Sequence, residues 1–327
     1  MSPTRFTLDH RLPSDFYLAG LRADVTAGLA APPRTLSPKW FYDERGSELF
    51  ERITALPEYY LTRAEYEILT GHAEEIAAAC GARTLVELGS GSSRKTRLLL
   101  DALLGAGTLE RYVPVDVSGS ALVAAGEALC AEYPKLRVAA TVADFEKDLV
   151  LSEDDPAPRM LAFLGSTIGN FDPGQRRGLY AAFRRALRPD DSLLLGADLV
   201  KDESVLVPAY NDSLGITAAF NKNVLAVVNR DLNADFDLND FDHSAVWNAE
   251  DERIEMYLRS RSAQTVKIRA LDLVVDFAAD EELRTELSCK FRRPSLTAEL
   301  EAGGFAVSRW WTDRAERFAL LLARPTR

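Results

Sequence analysis

Histidine is scarce in this 327-residue chain: only His10, His72 and His243 occur. No two of them stand at ligand spacing, which argues against a histidine-based metal site. Cysteine is equally rare. Cys80, Cys130 and Cys289 are odd in number, far apart and without a CxxC pair. Neither a disulfide framework nor a zinc cluster is expected, and a reducing compartment follows. No apolar run approaches the roughly 18 residues of a membrane span. The opening segment MSPTRFTLDHRLPSDF interleaves charge with apolar residues and has no signal-type apolar stretch, so a cytoplasmic location is expected. Basic charge is in deficit, 39 Lys and Arg against 50 Asp and Glu for a net charge of −11. Such a chain lacks the footprint for a phosphate backbone. The sequence therefore predicts no metal, no nucleic acid and no membrane; a monomer acting on a small molecule is the expectation.

What is present is an ordinary soluble composition, 47% hydrophobic and 27% charged, sufficient for a full core without staples. The length suits about two domains. Between Pro13 and Pro57 the chain is punctuated by prolines, with helical pieces expected over Asp15–Leu29 and Ser47–Thr54. Residues 64–80 read as an amphipathic helix. Short apolar runs then alternate with helical stretches. Strands are expected at Thr84–Leu88, Tyr112–Val117, Arg137–Val142, Met160–Leu164 and Ser192–Ala197, and helices at Lys95–Leu104, Ser120–Glu132 and Gln175–Leu187. That alternation implies an α/β fold with a parallel sheet covered on both faces. It stops after Leu199. Residues 201–230 read as helix, Asp231–Asp242 as an acidic turn region, and Arg253–Arg261, Gln264–Arg269, Leu271–Phe277 and Glu286–Phe291 as a small antiparallel sheet. Helix Leu296–Ala302 and strands Ala306–Trp311 and Phe318–Ala323 close the chain. One α/β domain (64–200 and 291–327) is thus interrupted by an insertion, which joins residues 1–63 in a second α+β lobe (1–63 and 201–290).

Three constellations fall at the carboxyl ends of successive expected strands, where open α/β sheets bind ligands. Val86-Glu87-Leu88-Gly89-Ser90-Gly91 carries glycines that let a backbone approach a ligand. The third glycine of a dinucleotide fingerprint is replaced by Arg94, which disfavours a pyrophosphate. Glu87, just before the glycines, would suit a cationic amino-acid moiety instead. Asp116 can accept both hydroxyls of a ribose. Asp144 can accept from an adenine amino group while Phe145 covers the ring. Together they describe a site for S-adenosyl-L-methionine, with Lys95 able to reach its carboxylate. After the fourth strand, Gly165-Ser166-Thr167-Ile168-Gly169-Asn170 occupies the substrate-facing position of class I methyltransferases. Trp40, Phe41, Tyr42, Phe50, Tyr59 and Tyr60 cluster beside Pro38 and Pro57, as packing or as pocket walls.

These segments resemble the ergothioneine-pathway histidine methyltransferase family. The resemblance runs through Pro38–Asp43, Leu56–Tyr60, Val86–Gly91, Phe163–Asn170, Leu195–Asp202, Ala218–Asn221 and Thr285–Phe291, nearly the whole chain, the insertion included. It implies a class I (Rossmann-like) methyltransferase sheet with a family-specific lobe, and trimethylation of the α-amine of L-histidine to hercynine. By the same resemblance Gly89, Lys95, Asp116, Asp144 and Phe145 hold the cofactor. Asn170 and Tyr210 hold the substrate carboxylate; Tyr59, Glu286 and Ser288 hold the imidazole, with Met256 beside it. Tyr42 and Gly165 line the space around the amine, and Phe50 shapes the pocket. Tyr42 and Asn170 are the expected catalytic pair.

The chemistry needs no histidine base. An α-amino group loses its proton near pH 8, so orientation carries most of the catalysis. The rival expectation is an N-methyltransferase of another aromatic amino acid or amine, such as tryptophan. Glu286 and Met256 speak for imidazole, because an indole would want a neutral, roomier wall. The alternation Glu286, Ser288, Lys290 would also suit an outward strand face.

Overall fold

The structure, a computed structural model, describes residues 5–91, 93, 95–147, 149 and 151–326. In chain order its elements begin with β1 (Phe6–His10), α1 (Phe16–Leu29), β2 (Arg34–Thr35), α2 (Glu44–Thr54) and α3 (Leu61–Cys80). Next come β3 (Thr84–Leu88), α4 (Thr96–Gly105), β4 (Arg111–Asp116), α5 (Gly119–Glu132), β5 (Arg137–Val142), β6 (Arg159–Phe163), α6 (Pro173–Ala186) and β7 (Ser192–Asp198). The middle of the chain holds α7 (Glu203–Tyr210), α8 (Ile216–Leu232), β8 (Phe241–Asn248), β9 (Arg253–Ser260), β10 (Gln264–Ile268), β11 (Leu273–Phe277) and β12 (Glu282–Cys289). The last elements are α9 (Arg293–Ala302), β13 (Phe305–Thr312) and β14 (Phe318–Pro325). Two compact units result. The first contains the described residues up to Leu12, Leu61–Leu199 and the chain from Phe291 on; the second contains Pro13–Tyr60 and Val200–Lys290.

The first unit is built on an eight-stranded sheet in the order β1-β5-β4-β3-β6-β7-β14-β13. The strands from β1 to β7 pair in parallel, and β14 and β13 are antiparallel. Every residue of β3, β6 and β7 is buried, which is why these runs read as continuous apolar stretches rather than alternations. The chain leaves β3 for β4 on one side and returns to β6 on the other, so β3 and β6 flank the switch point of the sheet.

The sequence reading puts residues 1–63 with the insertion, and the structure differs at both edges of that range. β1 pairs in parallel with β5, and Phe6 and Leu12 pack on Leu122, Ala140 and Val142 of the first unit. An edge strand needs only one apolar face, and the charges of β1 hid it. At the other edge α3 already starts at Leu61.

The second unit sets α1, α2, α7 and α8 with a four-stranded sheet, β2-β12-β9-β8, and a separate β10–β11 hairpin. The expected helix over 201–230 is two helices. The Asp212 carboxylate accepts the backbone N–H groups of Leu214, Ile216 and Thr217, and Gly215 takes φ +69°. This cap starts α8 afresh and leaves Tyr210 at the end of α7. Strand β8 begins inside the expected turn region; its polar Asp242, His243 and Ser244 gave no strand signal. The expected single antiparallel sheet is also corrected, because β2 joins β12 in parallel and the hairpin stands apart.

Candidate active site

In the first unit the expected cofactor residues lie at the carboxyl ends of neighbouring parallel strands. Gly89 follows β3 with φ +67°, and Gly91 has φ +48°; a Cβ on either would meet nothing within 4 Å. The turn is therefore set by positive φ and opens into free space. Between them the Ser90 hydroxyl is buried and has no partner among the described residues. Asp116 ends β4. One of its oxygens accepts the Gly91 N–H at 3.1 Å and the other the Ser118 N–H at 3.0 Å, leaving lone pairs for further donors. Asp144, two residues past β5, is buried and accepts the Glu146 N–H at 3.1 Å. The Phe145 ring stands edge-on to Phe163 at 5.4 Å.

Glu87 does not face a ligand, which corrects the role expected for it. It accepts the Thr96 hydroxyl at 2.7 Å and the Tyr112 hydroxyl beneath the loop. Burial pushes its carboxyl up to about 7, against those hydrogen bonds. Lys95 forms an ion pair with Glu65, a residue of α3 with no exposed surface. Glu65 also accepts the Gly165 N–H at 2.7 Å. One buried carboxylate thus ties the lysine after the glycine turn to the glycine that follows β6. Gly196 on β7 makes room for it, since a Cβ there would lie 2.5 Å from the carboxylate. Gly165 and Ser166 take φ +74° and +57°, and the turn Thr167–Asn170 follows. The Asn170 side chain is partly exposed and makes no hydrogen bond among the described residues.

In the second unit the other expected residues converge from four segments. Tyr42, Phe50 and Phe220 contact one another at 5.4–5.9 Å between ring centroids; Phe50 meets Tyr59 at 6.1 Å, and Tyr59 meets Tyr210 at 6.4 Å. These rings form a continuous wall. Asn223 of α8 donates to the Phe41 carbonyl at 3.0 Å and to the Asp43 carboxylate at 2.7 Å, which fixes both neighbours of Tyr42. Tyr42 is 48% exposed, although protein surrounds it densely on its other sides. That surrounding, with the nearby charge of Glu286, raises its phenol far above the ordinary range, so it stays neutral.

Glu286 and Ser288 stand on β12, and Met256 faces Glu286 across the β9 pairing. The outward reading of this strand face is wrong: Ser288 and Lys290 are 4% and 3% exposed. Ser288 and Tyr210 share a hydroxyl–hydroxyl bond of 2.8 Å. Lys290 Nζ donates to Tyr210 at 2.7 Å and to Ser288 at 2.9 Å. Burial pushes the Glu286 carboxyl up to about 7, with Lys290 pulling the other way. Behind this face runs a buried relay. Thr285 donates to Asn221 Oδ1 at 2.5 Å, Asn221 donates to His243 Nδ1 at 2.9 Å, and His243 Nε2 donates to the Tyr210 carbonyl at 2.9 Å. The carbonyl can only accept, which sets the tautomer. Burial lowers the His243 pKa and keeps the ring neutral.

The profile of one protein family, described as histidine-specific, SAM-dependent methyltransferases, matches residues 21–325. The chain belongs to this family. Its class I methyltransferase sheet and its use of S-adenosyl-L-methionine follow from that membership and from the fold. A histidine N-alpha-methyltransferase of Mycolicibacterium smegmatis is 54% identical over 317 residues, 97% of this chain and 98% of that protein. One from Mycobacterium tuberculosis is 53% identical over 319 residues, 98% of this chain and 99% of that protein. A more distant relative, a 4-dimethylallyltryptophan N-methyltransferase of Claviceps fusiformis, is 28% identical over 200 residues, 58% of this chain and 56% of that one.

For this family member, sequence reasoning missed Glu65, Ser90, Phe220, Lys290 and the Asn221–His243 relay. Lys290 was within reach: it stands two residues from Ser288 and four from Glu286, just past the end of an alternating strand. Glu65 carried no signal, since a lone acid on a helix ordinarily faces water. Among the described residues no group of acidic, cysteine and histidine side chains could hold a metal, and no helix is long and apolar enough to cross a membrane.

Proposed function

We propose that the protein transfers three methyl groups in turn to the α-amino nitrogen of L-histidine, giving hercynine, a step of ergothioneine biosynthesis. It does so as a cytoplasmic monomer acting on a small molecule, with neither nucleic acid nor membrane. The observation that carries this reading is the β12 face on which Glu286 is partly buried and Ser288 buried. Glu286 can accept an imidazole N–H, Ser288 lies one step along the same face, and aromatic rings stand beside them.

The cofactor residues suit an adenosyl ligand. The open glycine turn, the unpartnered Ser90 hydroxyl and the free lone pairs of Asp116 await polar groups, and Asp144 and Phe145 supply an acceptor and a ring face. When bound, S-adenosyl-L-methionine supplies an electrophilic methyl on a sulfonium, and each transfer forms an N–C bond, breaks an S–C bond and leaves a thioether. The residues of the chain orient the amine and hold its proton until water takes it. Tyr42 stays a neutral phenol, so it hydrogen-bonds the amine rather than acting as a strong base. Each methylation removes an N–H donor and adds bulk, so the grip must lie at the two ends of the substrate. Asn170 and Tyr210 take the carboxylate, and Tyr59, Glu286 and Ser288 take the ring, with Met256 packed alongside. Gly165 leaves room near the amine.

Incubation of the purified protein with histidine and the methyl donor tests this reading. Mass spectrometry is expected to show products with one, two and three added methyl groups. Equal consumption of tryptophan in the same mixture, or no methylation of histidine, would overturn it.

A further inference from the structure

We infer that Lys290 is a positioning residue that leaves one hydroxyl proton of the Tyr210–Ser288 pair for the substrate, so that the site demands a ring nitrogen with a free lone pair. This inference rests on the histidine reading above and names a requirement within it. An ammonium can only donate. Lys290 Nζ lies 2.7 Å from the Tyr210 oxygen and 2.9 Å from the Ser288 oxygen, and the two oxygens are 2.8 Å apart. Each hydroxyl therefore accepts from the lysine, one proton lies in the bond between them, and with Tyr210 as its donor the Ser288 proton is left for a further acceptor. The pair is thereby made a donor group. Glu286, two residues before Ser288 on the same strand face, is an acceptor when ionised. A neutral imidazole, with one N–H and one lone pair, matches both. A pyrrole offers only the N–H, and an imidazolium offers two N–H groups to a face that already holds a cation.

The lysine is fixed for this task. Its residue is 3% exposed, and its backbone N–H donates to the Glu252 carbonyl at 2.7 Å. Among the described residues, the titratable groups facing Glu286 are Lys290, just past the end of its strand, and Tyr42 from the segment before α2, with Tyr210 at the end of α7; across the β9 pairing stands the uncharged Met256. Lys290 is thus the positive charge that opposes protonation of Glu286.

Three measurements test the inference. Lys290→Met is expected to lower kcat/KM for histidine at least about tenfold, mostly through KM, while affinity for S-adenosylhomocysteine stays within about twofold of the parent. The acid limb of its kcat/KM profile should also move to higher pH, which a purely structural defect would not cause, and Lys290→Arg should restore both. An unmoved limb, or equal losses in histidine use and cofactor affinity, would overturn the inference. The unaltered enzyme gives a test that does not depend on folding of the variant. An alanine bearing a pyrrol-2-yl ring keeps the N–H and lacks the lone pair, so it should be methylated at least about tenfold less efficiently than histidine. Equal use of the two would overturn the inference while histidine trimethylation itself still stood; absence of histidine methylation would strike the earlier reading instead.

Discussion

The two units solve recognition by different means. In the first, the residues proposed for the cofactor sit at the ends of strands, and much of the polar surface is backbone: a positive-φ turn, strand termini, and one carboxylate braced by N–H groups. In the second, side chains from α7, α8, β8, β12, Lys290 and the segment around Tyr42 form one hydrogen-bonded and aromatic assembly. A cofactor shared by many reactions can be held by geometry that the sheet topology already provides. A substrate known by two ring nitrogens needs particular side chains whose orientations are fixed from behind. Binding in the first unit should therefore depend on few residues, whereas selectivity in the second should be spread over a network.

The largest effect expected from that contrast is in the first unit. Asp116→Ala removes a carboxylate that braces the glycine turn and retains acceptor capacity for the ribose. S-adenosylhomocysteine affinity should fall by about 2–3 kcal/mol, roughly 30- to 150-fold, since hydrogen bonds to charged groups are the strong ones. Calorimetry reads this directly. A loss under about threefold would mean that the strand end does not carry cofactor binding.

Next in size is Glu286→Ala. Removing the acceptor should lower histidine kcat/KM by about 1–3 kcal/mol and lower tryptophan use less, because an indole gains from the vacated charge. Rates with both amino acids in competition give the ratio. An unchanged preference would show that the second unit selects by shape and not by this carboxylate.

How legible each unit was follows from the same contrast. The glycine turn, Asp116 and Asp144–Phe145 could be found because strand ends impose a spacing on the sequence. The insertion offered no such period. Glu286 and Ser288 were named by family resemblance, and the bare alternation of β12 suited the wrong face equally well. His243 was dismissed as a lone histidine, yet it joins Asn221 to the Tyr210 carbonyl. No local pattern announces a contact between residues 22 and 33 positions apart in the chain. Strand β8 was lost for a related reason: residues that serve the relay replace the apolar alternation that marks a strand.

The relay gives a third prediction, in stability rather than selectivity. Burial lowers the His243 pKa in the folded chain below its unfolded value of about 6.5. The unfolded state therefore binds the proton more readily, and stability is lost as pH falls from about 6.5 toward the folded pKa. His243→Leu should cost about 1–2 kcal/mol at pH 7.5 by stranding the Tyr210 carbonyl and Asn221. It should also flatten this acid-side loss relative to the parent. Urea denaturation at several pH values measures both, and parallel pH curves for parent and variant would remove His243 as the titrating group.

The smallest effect returns to the first unit and to its boundary. Phe6 belongs to edge strand β1 and packs with Leu12 on Leu122, Ala140 and Val142. The ring closes over Gly126, where an added Cβ would lie 2.2 Å from it. Because the strand has one neighbour and its other residues are largely exposed, truncation removes only part of a side-chain burial. Phe6→Ala should cost about 1 kcal/mol of stability. It should leave the histidine-to-tryptophan preference unchanged, since the strand belongs to the sheet that carries the cofactor residues. A shift in that preference, read from the same competition assay, would return the first residues to the substrate lobe, where the sequence reading puts them.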